Sequence, residues 1–273
     1  MFEPLVMFFG LTNSPATFQS MMNELFKDLI DTGLVFIYMD DILIATKTLE
    51  QHRELVKQVL QRLQDNNLFL KPEKCDFEKD QMDYLGLILK PGHIAMDPIK
   101  LQGIADWPIP RNLRDVRAFL GFAGYYRRFI RNFSRLARPL NDLTKKANKW
   151  HWDEPEDSSF ILLKAKFCEA PILVQPDVHQ PFRLECDASK KACGAVLSQK
   201  GEDRLWHPVA FMSKSFIEAE RNYDIYDREL LAIIKALEEW RHYLEGSPHT
   251  IEISLTTRTL KSSRKCASCL EDK

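Results

Sequence analysis

The stretch "LVFIYMDDILIA", Leu34 to Ala45, sets two adjacent acids, Asp40 and Asp41, inside an otherwise apolar run. The Val, Ile, Phe and Tyr residues around them are strand formers, so the stretch reads as two short strands joined at the acids. Like charges at a hairpin tip repel, and burying them unpaired is costly. A divalent cation removes that cost, because Mg²⁺ takes one or two carboxylates and completes its shell with water and substrate phosphates. Two such ions can activate an attacking oxygen and stabilise a leaving one. The alternative is an Asp-Asp turn open to solvent, since aspartate is a favoured turn residue. The stretch alone leaves both readings open.

Outward from the hairpin the pattern is mixed α and β. Upstream, "SPATFQSMMNELFKDLIDTG" spaces Phe18, Met21, Met22, Leu25, Phe26 and Leu29 as a helix. Ser14 is its expected cap, Pro15 its first helical residue and Gly33 its stop. Downstream, "LEQHRELVKQVLQRLQDNN" is an amphipathic helix with Leu49, Leu55, Val56, Val59, Leu60 and Leu63 on one face. "DYLGLIL" reads as one strand. Prolines 91, 98, 108 and 110 mark a boundary region rather than an element interior. "HWDEPEDSS" and "APILVQPDVHQP" read as loops. From Phe182, "FRLECDAS", "CGAVLSQ" and "WHPVAFMSKSF" read as three strands. A helix over 227–244 is expected to bury Leu230, Ile233, Ile234, Leu237 and Trp240.

The 273 residues are enough for about two domains. No apolar run reaches the roughly 20 residues a bilayer span needs, and the first residues lack a basic, cleavable leader. No membrane partner is expected. Six cysteines are too sparse for a disulfide framework, which suits a reducing compartment, cytoplasmic or nuclear. The net charge is −1, yet residues 111–149 hold eleven Lys/Arg against two Asp, a local +9. The remaining 27 basic and 37 acidic residues give −10. A basic block in an acidic chain is the footprint of a polyanion site.

"YMDD" between apolar strands, preceded by "FFGLTNSPATFQ", resembles the palm of a reverse transcriptase, close to the gypsy-type long-terminal-repeat retrotransposons. The resemblance continues through "LKPEKCDF", "YLGLIL" and "FLGFAGYYRRFIRNFSRLARPLNDLTKK". It then passes through "FRLECDASKKACGAVLSQ", "HPVAFMSKSF" and "ERNYDIYDRELLAIIKALEEWRHYLEG", and so covers residues 2–253. It implies that Asp40 and Asp41 are the catalytic, metal-binding pair, supported by Tyr38 and Met39. It places Phe9, Gly10 and Gln19 against the incoming nucleotide and template, although Phe8 stands where the family has proline. Leu85 and Gly86 match the primer grip, and Lys74, with Lys71 as a rival, matches a lysine that protonates pyrophosphate. The basic block resembles the thumb, with Arg127, Arg128, Arg131 and Arg135 expected on the nucleic-acid backbone and most of its aromatics in the core. The last domain resembles a ribonuclease H, with Asp187 and Glu229 as catalytic, metal-binding acids. The alternatives are a strand-end turn for Asp187 and a first-turn helix acid for Glu229.

The resemblance also implies a third palm carboxylate and a fingers region upstream of Met1. After "HTIEI" the family continues with Asp-His-Lys-Asn-Leu, whose Asp is the third ribonuclease acid, whereas this chain reads "SLTTRTLKSSRKCASCLEDK". "LTTRTLKSS" can be back-translated so that reading from the third base spells Asp-His-Lys-Asn-Leu-Glu-Val-Phe. A frameshift or misplaced splice junction near Ile253 and Ser254 is therefore expected, which makes the lone "CASC" pair, Cys266 and Cys269, incidental.

The implied fold is α/β in parts. A partial palm spans 1–92, a helical thumb or connection 93–175, a truncated ribonuclease H-like mixed sheet with flanking helices 176–253, and a frameshifted, disordered tail 254–273. The implied activity is RNA-directed DNA polymerisation with cleavage of hybrid RNA, using Mg²⁺ or Mn²⁺. The implied partners are RNA template, DNA primer, RNA–DNA hybrid, deoxynucleotide triphosphates and further segments of a parent polyprotein. The polypeptide itself is expected to be inactive, or a remnant that only binds nucleic acid.

Overall fold

The computed structural model describes residues 7–8, 10–146 and 148–255. They fall into two compact units, Met1–Leu85 and Gly86–Lys273.

In the first unit, α1 (Ser14–Leu25) and α2 (Lys27–Asp31) precede the hairpin of β1 (Val35–Tyr38) and β2 (Asp41–Ile44). α3 (Leu49–Asp65) and β3 (Met82–Tyr84) follow. Ser14 is the first residue of α1 rather than its cap; Asn13 caps without a side-chain bond, and Ser14 Oγ donates instead to the Phe8 carbonyl. The expected single helix breaks at Phe26, whose φ of −111° leaves the helical region. Gly33 ends α2 with a positive φ of 71°. Thr48 caps α3 by accepting from Gln51 N. α3 buries Leu55, Val59 and Leu63, spaced i, i+4, i+8, against Met22, Phe26, Leu29 and Val35. Leu49 and Leu60, expected on that face, are exposed.

The second unit begins with β4 (Leu87–Lys90), β5 (His93–Met96) and α4 (Pro98–Ala105). The proline-rich stretch is therefore structured, with Pro98 in the first turn of a helix that Asp97 caps. α5 (Leu113–Tyr125) is followed by a 3₁₀ turn at Arg127–Phe129, α6 (Phe133–Leu136), α7 (Arg138–Leu143) and α8 (Glu154–Cys168). "HWDEPEDSS", expected to be loop, starts α8. Asp153 and Glu156 form a capping box, which a purely polar reading of the stretch hides. β6 (Leu173–Val174) pairs antiparallel with β5, which pairs with β4. Phe119, Tyr126, Phe129, Phe133, Phe160 and Phe167 sit in the core these elements share, whereas Tyr125 is exposed.

β7 (Phe182–Ala188), β8 (Ala192–Lys200) and β9 (Trp206–Ser215) form an antiparallel meander, followed by α9 (Glu218–Arg221), α10 (Ile225–Glu239) and α11 (Arg241–Leu244). β10 (Glu252–Leu255) pairs parallel to β7, giving the order β10-β7-β8-β9. α10 packs on β7 and β8 through Ala232 and Ala236, small residues that let a helix backbone approach a sheet. Leu230 and Ile234, expected in the core, are exposed at 56% and 43%. The two compact units divide at Leu85/Gly86, and the helical segment and the last sheet share one unit.

Candidate active sites and nucleic-acid face

The paired acids stand where the sequence puts them. Tyr38 pairs with Asp41 across the hairpin, and Met39 and Asp40 form its two-residue loop. Met39 has φ 56°, a left-handed value that such loops usually give to glycine. The side chain of Gln19 holds this loop from α1. Its Oε1 accepts from Met39 N at 2.6 Å, while its Nε2 donates to the Ile37 carbonyl at 3.2 Å and to Asn23 Oδ1. Both carboxylates are exposed. Tyr84 lies close enough that the charge of Asp41 adds to burial in raising its phenol pKa.

Gly10, with φ 100°, and Lys74, in the 3₁₀ turn Pro72–Lys74, are exposed; Phe9 lies outside the described residues. "DYLGLIL" is not one strand, because Leu85 and Gly86 both take positive φ, 52° and 74°. The Tyr126 hydroxyl donates to the Gly86 carbonyl at 3.0 Å, and a Cβ on Gly86 would meet that hydroxyl at 3.0 Å. The close approach that calls for glycine there comes from the chain itself.

In the last sheet, Asp187 is the penultimate residue of β7 and Glu229 is the fifth residue of α10, so the two acids come from elements that pack directly. Glu229 is buried at 4% exposure. The first-turn acid of α10 is Asp227, so helix electrostatics falls to Asp227 rather than Glu229. Next to Glu229, Arg228 buries its Nε and one Nη with no hydrogen-bond partner. β10 runs beside β7 with Leu255 opposite Cys186, one residue short of Asp187. Burial, then Cys193 and Asp187, push the Cys186 thiol pKa up to about 12.

The basic block lies on the helices and turns from α5 to α7. Arg127, Arg131 and Arg135 are exposed, Arg128 is half-buried, and among the described residues none of the four is in an ion pair. Among the described residues of this block, Lys145 is the one base that pairs with an acid, Asp142.

Two family models match the chain. Residues 1–89 match a reverse transcriptase (RNA-dependent DNA polymerase) domain, and residues 152–252 match the RNase H-like domain found in reverse transcriptase. The chain therefore joins a reverse transcriptase domain to an RNase H-like domain. It is 42% identical over 246 residues to the retrovirus-related Pol polyprotein from transposon 297 of Drosophila melanogaster, covering 90% of this chain and 23% of that protein. It is 37% identical over 259 residues to the transposon Tf2-3 polyprotein of Schizosaccharomyces pombe, covering 95% of this chain and 19% of that one. The chain thus spans about a fifth to a quarter of these relatives. In fold it is similar to the foamy viral protease-reverse transcriptase. The structure in complex with RNA/DNA hybrid superposes with a TM-score of 0.76 at 21% identity, covering 93% of this chain and 34% of that one. The complex with double-stranded DNA gives 0.76 at 23%, covering 93% and 52%.

Domains of these two families generally use divalent metal ions. In the reverse transcriptase domain, Asp40 and Asp41 offer the hard oxygen donors such an ion takes, and Asp187 and Glu229 do so in the RNase H-like domain. Among the described residues neither pair is joined by a third His, Cys, Asp or Glu ligand atom. Among the described residues the one group of three is His151, Asp153 and Glu156, and Asp153 and Glu156 are already engaged in the capping box of α8, Glu156 accepting from Asp153 N at 3.1 Å. The role of Gln19 as the brace of the hairpin loop was missed, because spacing along a helix does not report which loop a side chain reaches.

Proposed function

We propose that the chain is a nucleic-acid-binding part of a retrotransposon replication polyprotein, engaging an RNA–DNA hybrid through Arg127, Arg128, Arg131 and Arg135. The observation that carries this reading is a +9 stretch whose arginines, among the described residues, have no acidic ion-pair partner. Unneutralised guanidinium groups on a structured face suit phosphates, and releasing the counterions around those phosphates drives binding. The complexes of the foamy viral relatives with DNA and hybrid support it.

The chemistry that goes with these domains is attack of a primer 3′-hydroxyl on a nucleotide α-phosphate, and hydrolysis of the hybrid's RNA strand. Mg²⁺ or Mn²⁺ held by Asp40 and Asp41, and by Asp187 and Glu229, would supply charge neutralisation and an activated oxygen. Tyr38 and Met39 would flank the primer end, Leu85 and Gly86 would support it, and Phe9, Gly10, Gln19 and Lys74 would face the nucleotide and template. RNA template, DNA primer, deoxynucleotide triphosphates and other polyprotein segments complete the set of partners, in an intracellular setting. Each site brings two carboxylates from this chain, Asp40 with Asp41 and Asp187 with Glu229. On the same reading, the tail after Ile253 is read one base out of frame.

The test is fluorescence anisotropy of a labelled RNA–DNA hybrid. Tight, salt-sensitive binding that Arg127→Ala, Arg128→Ala, Arg131→Ala and Arg135→Ala together abolish supports the proposal. Unchanged binding by that variant contradicts it.

A further inference from the structure

We infer that a cleft of about 190 Å³ beside β9 is an anion site that takes a backbone phosphate of a nucleic-acid strand. The inference rests on the hybrid-binding reading above and adds residues from the RNase H-like domain to it. Arg127 and Arg128 line the cleft from the 3₁₀ turn, Lys214 from β9, Glu239 from the end of α10, and His242 and Tyr243 from α11. Glu239 is engaged by Lys214 at 2.7 Å, so the carboxylate is neutralised and two guanidinium groups remain unpaired. Arg128 Nε is buried and has no hydrogen-bond partner among the described residues. A buried donor without an acceptor is rare in folded proteins and calls for a ligand or an ordered water. An oxyanion supplies the missing acceptor, and guanidinium groups bind phosphate oxygens in fixed, directional geometry. The rings of His242 and Tyr243, with centroids 3.9 Å apart and planes tilted by 53°, put aromatic surface on the rim against which a sugar or base can rest.

The position bears on what the phosphate does. Asp187, Gly194 and Ser213 are in register across β7, β8 and β9, so Ser213 lies two strand spacings, about 10 Å, from Asp187. The cleft opens around Ser213 and Lys214 on the edge strand. A phosphate gripped there is therefore not the one presented to Asp187; it sets how the strand is positioned along the sheet. The support beneath the cleft is rigid. Ser134 N donates to Ser213 Oγ at 3.0 Å, Ser134 Oγ donates to the Ser213 carbonyl at 2.7 Å, and Asn132 packs against Gly194.

The test measures hybrid affinity of the full chain and the slope of log affinity against log salt. Arg128→Ala and the exposed His242→Ala should each weaken binding several-fold, with Arg128→Ala lowering the salt slope by about 1. Arg128→Lys keeps the charge but removes the Nε donor, so it should weaken binding as well. Lys190→Ala, outside the cleft, should change little. Scanning single neutral methylphosphonate linkages through the hybrid should reveal a position that weakens wild type but not Arg128→Ala. Arg128→Lys equal to wild type, or no position-dependent linkage, overturns the cleft as a phosphate site. Free inorganic phosphate that competes as effectively as hybrid would assign it to a free anion and overturn the strand reading. Should the fourfold arginine variant lose binding while Arg128→Ala and His242→Ala do not, the cleft fails and the hybrid-binding face stands. Retained binding by the fourfold variant is failure of the wider reading.

Discussion

Gln19 shows how one side chain can hold the shape of the loop beside it. Its carboxamide satisfies two backbone groups of the hairpin that carries Asp40 and Asp41, across a loop residue in a left-handed conformation. Gln19→Ala leaves Met39 N and the Ile37 carbonyl without that partner, and is expected to cost about 1–3 kcal/mol. Urea unfolding checks this, and Gln19→Glu should recover part of the loss through its remaining acceptor for Met39 N. The cysteines offer a second check at this scale. Burial holds Cys186 as a thiol to about pH 12, whereas Cys168 is exposed. A thiol reagent at pH 8 should label Cys168 in the native chain and leave Cys186 unlabelled until the chain unfolds. Labelled peptides identified by mass spectrometry report which occurs. The Asp-Asp pair itself was legible because its two strands are short, apolar and bounded by glycine and threonine. The brace was not, because it is a contact between elements.

At the scale of elements, the docking of α6 on β9 depends on a glycine. A Cβ on Gly194 would lie 2.7 Å from Asn132 Oδ1, closer than real side chains come. Gly194→Ala should cost about 1–3 kcal/mol in thermal or urea unfolding, as overpacking does; Ser134→Ala, which removes one hydroxyl, should cost less. α9 and α10 are linked by Lys235 Nζ and Glu220 Oε1 at 2.6 Å, a bond that holds the Glu220 carboxyl below its usual range. A depressed carboxylate contributes stability above its unfolded pKa and loses it as pH falls through the folded value. Below about pH 4.5, stability should therefore drop more steeply in wild type than in Lys235→Met. The errors of sequence reading at this scale have physical causes. α10 turns its alanines to the sheet because close approach outweighs side-chain size, leaving Leu230 and Ile234 outside. "DYLGLIL" hides a turn because one of its two left-handed residues is a leucine. The start of α8 is written in polar residues, as capping boxes are.

At the scale of the molecule, the family and the order of its domains were readable from motifs in sequence order. The elements inside the proline-rich stretch were not, because Pro91 and Pro98 read as interruptions where the chain folds β5 and α4. Among the described residues no helix is long and apolar enough to cross a membrane. Local charge, rather than the net value of −1, carries the functional reading, since eleven bases and two acids share one stretch of 39 residues. The most direct measurement is the dependence of RNA–DNA hybrid affinity on salt for the chain and for its fourfold Arg127, Arg128, Arg131 and Arg135 to Ala variant. Affinity should fall steeply with salt, and the slope of log affinity against log salt should shrink by about 3–4 in the variant. Equal slopes and equal affinities for the two proteins would contradict the account.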